Sequence, residues 1–316
     1  MSENKTLSKK ILLIILIIAA VNFVVGGILL LLGLNLYFNL VFYGNTVTFT
    51  IFRAISYIGE DIVQILLLAA LIFVYDVKFG RNVGFSLLGS YYINGILKDI
   101  FQDPRPVTNT YEEGFGFPSG HSQNAVAVWG LMSYESYKKD NKILQWLFII
   151  FIYLIGISRI VVGVHDLEDV WGGFFYGTIF LVLFIYFEPL TSEKAKSLNF
   201  LTKAILSIII PIAMLTIAII IFPTTTLDYG LCCGGLMGIS LGYLIETKKI
   251  QYDPKVLNNK QKLVNLVIGL VLTMVFYFAL SAYSSDFLVW RFTKYFLLAF
   301  LVITLIPWIF TKIKRD

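Results

Sequence analysis

The feature that most constrains this chain is a succession of long apolar segments along its 316 residues. A transmembrane helix needs about 20 mostly apolar residues, and about ten segments approach or exceed that length. A mean hydropathy of +0.80 and a charged fraction of only 14% exclude a single soluble core. We therefore predict an all-α polytopic membrane bundle with spans near residues 11–33, 54–75, 82–101, 121–137, 143–163, 167–187, 203–222, 229–245, 263–282 and 291–310.

A polar linker at residues 188–203 divides these segments into two blocks. Residues 1–190 are predicted to form a six-span core that carries the unusual polar residues. Residues 200–316 are predicted to form a four-span C-terminal membrane region, to which we assign no role. In that region four glycines recur every four residues and line one helix face, which predicts close packing within the monomer or, as the alternative, a homodimer: Gly230, Gly234, Gly238 and Gly242.

The basic residues indicate which ends of the spans face the cytoplasm, because cytoplasmic loops are enriched in Lys and Arg. If the N terminus is cytoplasmic, an even number of spans keeps the basic C terminus on the same side. We predict that both termini are cytoplasmic, in what we expect to be a prokaryotic plasma membrane. All but six of the 25 basic residues then fall on the inner side, the exceptions being Arg53, Lys98, Arg105, Arg159, Arg291 and Lys294.

The pI near 9.0 raises the question of a nucleic-acid partner. The basic residues, however, form short clusters between apolar stretches, which is typical of membrane-flanking charge, so no nucleic acid is expected. The two cysteines, Cys232 and Cys233, are adjacent in an apolar stretch and are interpreted as packing residues.

Both histidines of the chain lie beside predicted outer membrane edges, together with three of the six outer cations. These polar residues form three short clusters. The clusters are Lys98 with Arg105 and Pro106; Pro118, Ser119, Gly120 and His121; and Ser158 and Arg159 with His165 and Asp169.

The clusters predict a binding site for phosphate. Lys98, Arg105 and Arg159 supply three positive charges that a group with several anionic oxygens can pair with. Ser119 and Gly120 come directly before an apolar segment, where a helix N-terminus presents free backbone N–H groups to anions. These five residues are the predicted phosphate-binding set.

The two histidines are predicted to perform the chemistry. Asp169 follows His165 by four residues, so that its carboxylate can fix the tautomer of the ring and leave a neutral nucleophile. His121 can then protonate the departing alkoxide as the general acid. The alternative is a metal centre on these three residues. It is disfavoured because three fixed cations repel a divalent ion and no compact ligand motif occurs, so no metal and no cofactor are expected.

The spacing of the three clusters resembles the type 2 phosphatidic acid phosphatase superfamily. The resemblance covers residues 98–169 and shows no departure from the three family motifs. It implies a metal-independent reaction through a phosphohistidine on His165, supported by Asp169, with His121 as the acid and the five phosphate-binding residues in the same roles. It also implies that the family's six-helix core corresponds to the first block.

These observations predict a phosphatase that acts on a membrane lipid phosphate or a polyprenyl diphosphate at the extracytoplasmic face. A phosphotransferase that uses the same phosphohistidine with a lipid or sugar acceptor is the alternative. A transporter is a weaker one, since the polar residues gather at one edge instead of the midplane. Glu60 and Asp61, in the outer part of the second span, are interpreted either as solvated helix-end carboxylates or as groups that contact a head group or pair with Arg53. Glu112 and Glu113 are interpreted as solvating the loop between the first two motifs, with discrimination among head groups as the alternative.

Overall fold

The structure is a computed structural model that describes residues 9–223, 226–283 and 287–313. The residues at the two chain ends, 1–8 and 314–316, lie outside this range, and with them the predicted cytoplasmic termini. All regular secondary structure in the described residues is helical, which confirms the all-α prediction. The helices are α1 Lys9–Leu31, α2 Tyr37–Phe42, α3 Thr46–Ser56, α4 Asp61–Ala70, α5 Val77–Phe101, α6 Gly120–Lys138, α7 Lys142–Val161, α8 Leu167–Lys196, α9 Phe200–Ile221, α10 Thr226–Ile245, α11 Asn259–Ser281, α12 Leu288–Ile303 and α13 Leu305–Lys312.

Seven stretches of helix in the described part of the chain are long and apolar enough to cross a membrane. An eighth is obtained if the pair Thr46–Gly59 and Asp61–Tyr75, bent by 50° at Glu60, counts as one span. The segments predicted at 82–101 and 121–137 are helical, as α5 and α6, but are not among these stretches. A membrane helical bundle is therefore confirmed, whereas the count of ten spans stays a prediction.

Burial by protein explains why α6 is polar. Most of its 19 residues are buried, including Ser122 and Gln123. A helix that is covered by other helices does not need a lipid-compatible surface, and polar side chains inside a bundle mark functional positions. Among its neighbours are α7 and α8.

The chain divides into two compact units. Unit 1 comprises Met1–Val63 and Ile93–Leu190, and unit 2 comprises Gln64–Tyr92 and Thr191–Asp316. This division differs from a boundary at residue 190 because the segment 64–92 packs with the C-terminal helices. Its buried side chains Ala69, Ile72 and Phe73 share one apolar cluster with Ile303 and Phe310.

Close packing of α8 against the start of α6 positions the polar residues of unit 1. A Cβ atom on Gly173 would lie 2.6 Å from the backbone oxygen of Ser119, and one on Gly177 would lie 2.8 Å from that of Gln123. Only glycine allows such an approach of two backbones. The backbone N–H of Ser119 also donates to the backbone oxygen of Asp169 at 2.9 Å. The two histidine clusters are thereby joined.

In unit 2, the glycine face of α10 contacts α12 of the same chain. A Cβ atom on Gly234 would lie 2.2 Å from the backbone oxygen of Phe292, and one on Gly238 would lie 2.4 Å from that of Phe296. Gly230 and Gly242 also face α12, where side-chain atoms of Leu288 and Ile303 approach them most closely. Packing within the monomer thus uses this face, and a second copy would have to displace α12 to reach it. The homodimer stays a prediction.

Candidate active site

The predicted nucleophile lies in the loop between α7 and α8, next to its predicted partner. His165 Nδ1 is 2.9 Å from Asp169 Oδ2, and both side chains are almost fully buried. Asp169 lies in the first turn of α8, so the pair forms although His165 itself precedes the helix. The side chain of Asn39, on α2, donates to the backbone oxygen of His165 at 2.7 Å and to that of Ile160 at 3.0 Å. The backbone of the loop is therefore held by Asn39, and the imidazole ring of His165 is held by Asp169.

The ring nitrogen of His165 that Asp169 does not contact faces a guanidinium. Arg105 Nη1 lies 3.3 Å from His165 Nε2 and also donates to the backbone oxygen of Val164 at 3.0 Å. Burial lowers the pKa of His165 well below its usual value, and the charges of Lys98, Arg159 and Arg105 lower it further. The imidazole is therefore neutral near pH 7, which is the state that a nitrogen nucleophile requires.

Arg159, in the last turn of α7, is the second guanidinium of the site. Its side chain is 1% exposed. Its Nη1 donates to Ser56 Oγ at 2.6 Å, and its Nη2 contacts the Glu112 carboxylate. Its Nε is buried and has no hydrogen-bond partner among the described residues. A donor that is held rigidly and left unpaired can donate to a further anionic oxygen.

Lys98 lies in the last turn of α5 and is half-buried. Its Nζ donates to the backbone oxygen of Phe115 at 2.6 Å, so it also holds the loop that leads into α6. Among the nearby charges, that of Lys98 lowers the pKa of His165 most. The structure therefore brings Lys98 to the site. The sequence did not indicate its hydrogen bond to the backbone of Phe115.

The cluster around Pro118 forms the N-terminus of α6, as predicted. Ser119 is the N-cap, and its Oγ accepts from the backbone N of Ser122 at 3.5 Å and from Ser122 Oγ at 3.1 Å. Gly120 begins the helix against Asn94, whose Oδ1 would lie 3.0 Å from a Cβ atom at this position. The amide of Asn94 donates to the backbone oxygen of Pro118 at 3.1 Å.

His121 lies in the first turn of α6 and faces a carboxylate. Its Nε2 is 3.6 Å from Glu60 Oε1 and has no hydrogen bond within the described part of the chain. Glu60 is at the bend between the 3-10 turn Tyr57–Gly59 and α4, which directs it toward α6. The sequence left Glu60 open as a solvated carboxylate, a head-group contact or a partner of Arg53, and no local pattern pairs it with a histidine 61 positions away. The contact of Glu60 with His121 results from the bend of the helix pair at Glu60.

Glu112 lies between the two guanidiniums of the site, a position that the sequence did not indicate. Its side chain is 23% exposed, with Oε2 3.1 Å from Arg105 Nη2 and Oε1 against Arg159 Nη2. Burial alone would raise the pKa of the carboxyl, but the guanidinium charges outweigh it and hold the pKa below its ordinary value. Three cations in one pocket were the available indication of a nearby acidic residue, since buried charges require a counter-charge.

The described residues contain no group of three or more His, Cys, Asp or Glu side chains placed to hold a metal ion. The side chains of the site itself supply several hydrogen-bond donors. Two guanidiniums, an ammonium and a helix N-terminus surround a neutral imidazole. Such a set is suited to a phosphoryl group.

These features define a class: a membrane helical bundle in which two histidines lie near three cationic side chains. The chain belongs to the PAP2 superfamily, the type 2 phosphatidic acid phosphatases. The model of that superfamily matches residues 79–192, and the model described as PAP2 superfamily phosphatase, transmembrane extension, matches residues 229–315. The second match places the C-terminal helices in the same family, which the motifs alone did not indicate.

Curated relatives include phosphatidylglycerophosphatase B of Bacillus subtilis (strain 168), which is 35% identical over 112 residues, or 33% of this chain and 53% of that protein. Sphingosine-1-phosphate phosphatase 1 of Rattus norvegicus is 22% identical over 240 residues, or 69% of this chain and 56% of that protein. The chain thus spans about half the length of these relatives. A crystal structure of a transmembrane PAP2-type phosphatidylglycerolphosphate phosphatase from Bacillus subtilis is similar at a TM-score of 0.47 and 22% identity, covering 55% of this chain and 96% of that one.

Proposed function

We propose that this chain is a phosphatase that hydrolyses a membrane lipid phosphate or diphosphate through a phosphohistidine on His165. The observation that carries the proposal is the contact of His165 with Asp169 through Nδ1 and with Arg105 through Nε2. One ring nitrogen is oriented by a carboxylate, and the other points toward a group that pairs with phosphate oxygens. The names of the relatives, which act on phosphatidylglycerophosphate and sphingosine 1-phosphate, support a lipid substrate.

The first step transfers the phosphoryl group to the enzyme. His165 Nε2 attacks phosphorus, the bond from phosphorus to the lipid oxygen breaks, and His121 gives its proton to the departing alkoxide. Arg105, Arg159 and Lys98 stabilise the charge on the equatorial oxygens, which grows in the transition state. Asp169 stabilises the positive charge that forms on the imidazole ring.

The second step regenerates the enzyme. A water molecule attacks phosphorus while His121, now neutral, accepts the proton that the water loses. The bond from phosphorus to His165 Nε2 breaks, and inorganic phosphate leaves. No metal takes part in either step.

Chelation and vanadate test this proposal in purified protein. Release of inorganic phosphate from phosphatidic acid, phosphatidylglycerol phosphate, polyprenyl diphosphate or a sphingoid phosphate should persist in excess chelator. Micromolar to millimolar vanadate should inhibit it, because trigonal-bipyramidal vanadate resembles the transition state. A soluble sugar phosphate serves as the control substrate. Activity that is lost on chelation and restored by zinc would contradict the mechanism, and transfer to an added alcohol without phosphate release would identify a phosphotransferase.

We also propose that the site faces the extracytoplasmic side of a prokaryotic plasma membrane. The residues of the site lie at one end of unit 1, at the end of α5 and α7 and the start of α6 and α8. The opposite ends of α6, α7 and α8 carry lysines, which supports a cytoplasmic position for these ends: Lys138, Lys139, Lys142, Lys194 and Lys196.

The orientation is tested by labelling with a membrane-impermeant maleimide in intact cells. Cys232 and Cys233 are buried, so a cysteine introduced at an exposed position should give the signal. We expect Glu113→Cys to react from outside and Lys139→Cys to react only after the membrane is permeabilised. The reverse pattern would place the site in the cytoplasm.

A further inference from the structure

The two guanidiniums that the proposed mechanism assigns to phosphate already share a carboxylate. Arg105 Nη2 is 3.1 Å from Glu112 Oε2, and Arg159 Nη2 contacts Glu112 Oε1. The side chains of Arg105 and Arg159 are only 9% and 1% exposed. The Glu112 carboxylate thus bridges two cations in the way that two oxygens of a phosphate would.

The other donors of Arg105 are engaged in holding the loop. Its Nε donates to the backbone oxygens of Glu113 and Gly114, at 3.1 and 3.2 Å. Its Nη1 donates to the backbone oxygen of Val164 and lies 3.3 Å from His165 Nε2. The Nη2 atom is therefore the donor of Arg105 that an incoming anion can share with Arg159. Glu112 holds that donor.

The donors of Arg159 lead to the same conclusion. Its Nη1 is fixed by Ser56 Oγ, and its Nη2 is bound by Glu112. Only its Nε is unpaired among the described residues. A phosphoryl group next to His165 that takes a bidentate contact from Arg159 through Nε and Nη2 meets the nitrogen that the carboxylate already occupies, and so competes with the carboxylate.

The backbone of Glu112 is held independently of its carboxylate. Asn109 Nδ2 donates to the backbone oxygen of Glu112 at 2.7 Å, and the backbone N of Glu112 donates to Asn109 Oδ1 at 3.1 Å. Nearby, the guanidinium of Arg53 lies 4.1 Å from the centroid of the Tyr111 ring. The side chain can therefore turn away by rotation about its own bonds while the loop stays in place.

We propose that Glu112 is an internal competitor for the phosphate site, which the substrate phosphoryl group displaces on binding and which displaces inorganic phosphate after hydrolysis. This proposal rests on the proposed function. Two nearly buried guanidiniums without a counter-charge would be costly, so the carboxylate stabilises the empty pocket and phosphate takes its place in the filled one. The pocket always holds an anion, and Glu112 lowers the affinity for product phosphate.

The test measures binding of inorganic phosphate and of vanadate by calorimetry in detergent. The wild type is compared with Glu112→Gln, which keeps the side-chain size and removes the charge. Glu113→Gln is the matched control, because it removes the same charge from the adjacent residue, whose side chain is exposed. We expect Glu112→Gln to bind phosphate about tenfold more tightly, the factor that corresponds to about 1.4 kcal/mol, and Glu113→Gln to bind it like the wild type.

The outcomes separate this proposal from the proposed function. If all three proteins bind phosphate and vanadate equally, Glu112 does not compete, although the phosphate site stands. Weaker binding by Glu112→Gln would mean that the carboxylate arranges the guanidiniums for phosphate, which overturns the competition. If none of the three proteins, Glu112→Gln included, binds either anion, the pocket is not a phosphate site, and the proposed function fails together with this one.

A second measurement keeps the test decisive if Glu112→Gln is unstable. The thermal unfolding temperature of each protein is measured with increasing phosphate, which stabilises the folded state more when it binds more tightly. We expect a larger phosphate-dependent rise for Glu112→Gln than for the wild type. For Glu112→Asp, which keeps the charge but is too short to bridge both guanidiniums equally well, we expect an intermediate rise. Equal rises in all variants would overturn the proposal.

Discussion

Replacing His165 with alanine is expected to abolish phosphate release, lowering kcat by about 10⁴-fold or more, the scale of loss when a covalent nucleophile is removed. The neutral imidazole is the attacking group, and no other side chain that the structure describes at this position can replace it. Asp169 would keep its contact with the backbone N of Asp166, which is 3.3 Å from Oδ2, so the start of α8 should persist. The measurement is the release of inorganic phosphate by purified protein in detergent.

The control for this substitution is the binding of the substrate phosphate. The variant retains Arg105 and Arg159, so it should still bind inorganic phosphate and should unfold at a temperature close to that of the wild type. Activity within about tenfold of the wild type, in a protein that is folded and binds phosphate, would show that His165 is not the nucleophile.

Replacing His121 with alanine is expected to cost about 10²- to 10⁴-fold on a lipid alkyl phosphate, the usual contribution of a general acid. An alkoxide is a poor leaving group and needs a proton as it departs, whereas nitrophenolate departs without one. With nitrophenyl phosphate, transfer to His165 should therefore be affected much less. The rates to compare are single-turnover rates of leaving-group release, because the second step also uses His121.

The comparison of the two substrates supplies its own control, since a folding defect would reduce both rates equally. Equal losses of single-turnover rate in a variant that unfolds at the wild-type temperature would contradict the role of His121 as the acid. A larger loss for the nitrophenyl ester than for the lipid would contradict it as well.

The residues of the site that the sequence predicted are those whose partners lie close in the chain or at helix ends. The spacing of His165 and Asp169 specifies a contact across one turn, and the structure has it at 2.9 Å. Ser119 and Gly120 follow the rules for a helix start, and α6 begins there. Local geometry thus predicted where these groups lie, while their roles in the reaction remain predictions.

The contacts of Glu112 and Glu60 could not be predicted in the same way. Glu112 meets a guanidinium on α7, 47 residues away, and Glu60 meets His121 only because the helix pair bends at its position. Contacts of this kind depend on the tertiary arrangement of helices, and isolated acidic residues in a loop carry no period that reveals them. An excess of buried cations was the one physical indication.

The number of spans was predicted from the length of apolar segments, a rule that holds for helices that face lipid. That rule works for α9, which is apolar and largely exposed on the surface of the protein. It is uninformative for α6, where Ser122, Gln123 and Asn124 are covered by protein. Packing of the segment 64–92 with the C-terminal helices also has no local signature, because its apolar residues would suit several neighbours equally well.

The most direct test of the central claim is the detection of phosphohistidine on His165. The His121→Ala variant should accumulate it with nitrophenyl phosphate, since the first step proceeds without the acid and the second lacks its base. After an alkaline quench, which preserves phosphohistidine, mass spectrometry should find one phosphoryl group on the peptide that contains His165. Turnover with no phosphoryl group on that residue, or with one on a different residue, would contradict the mechanism.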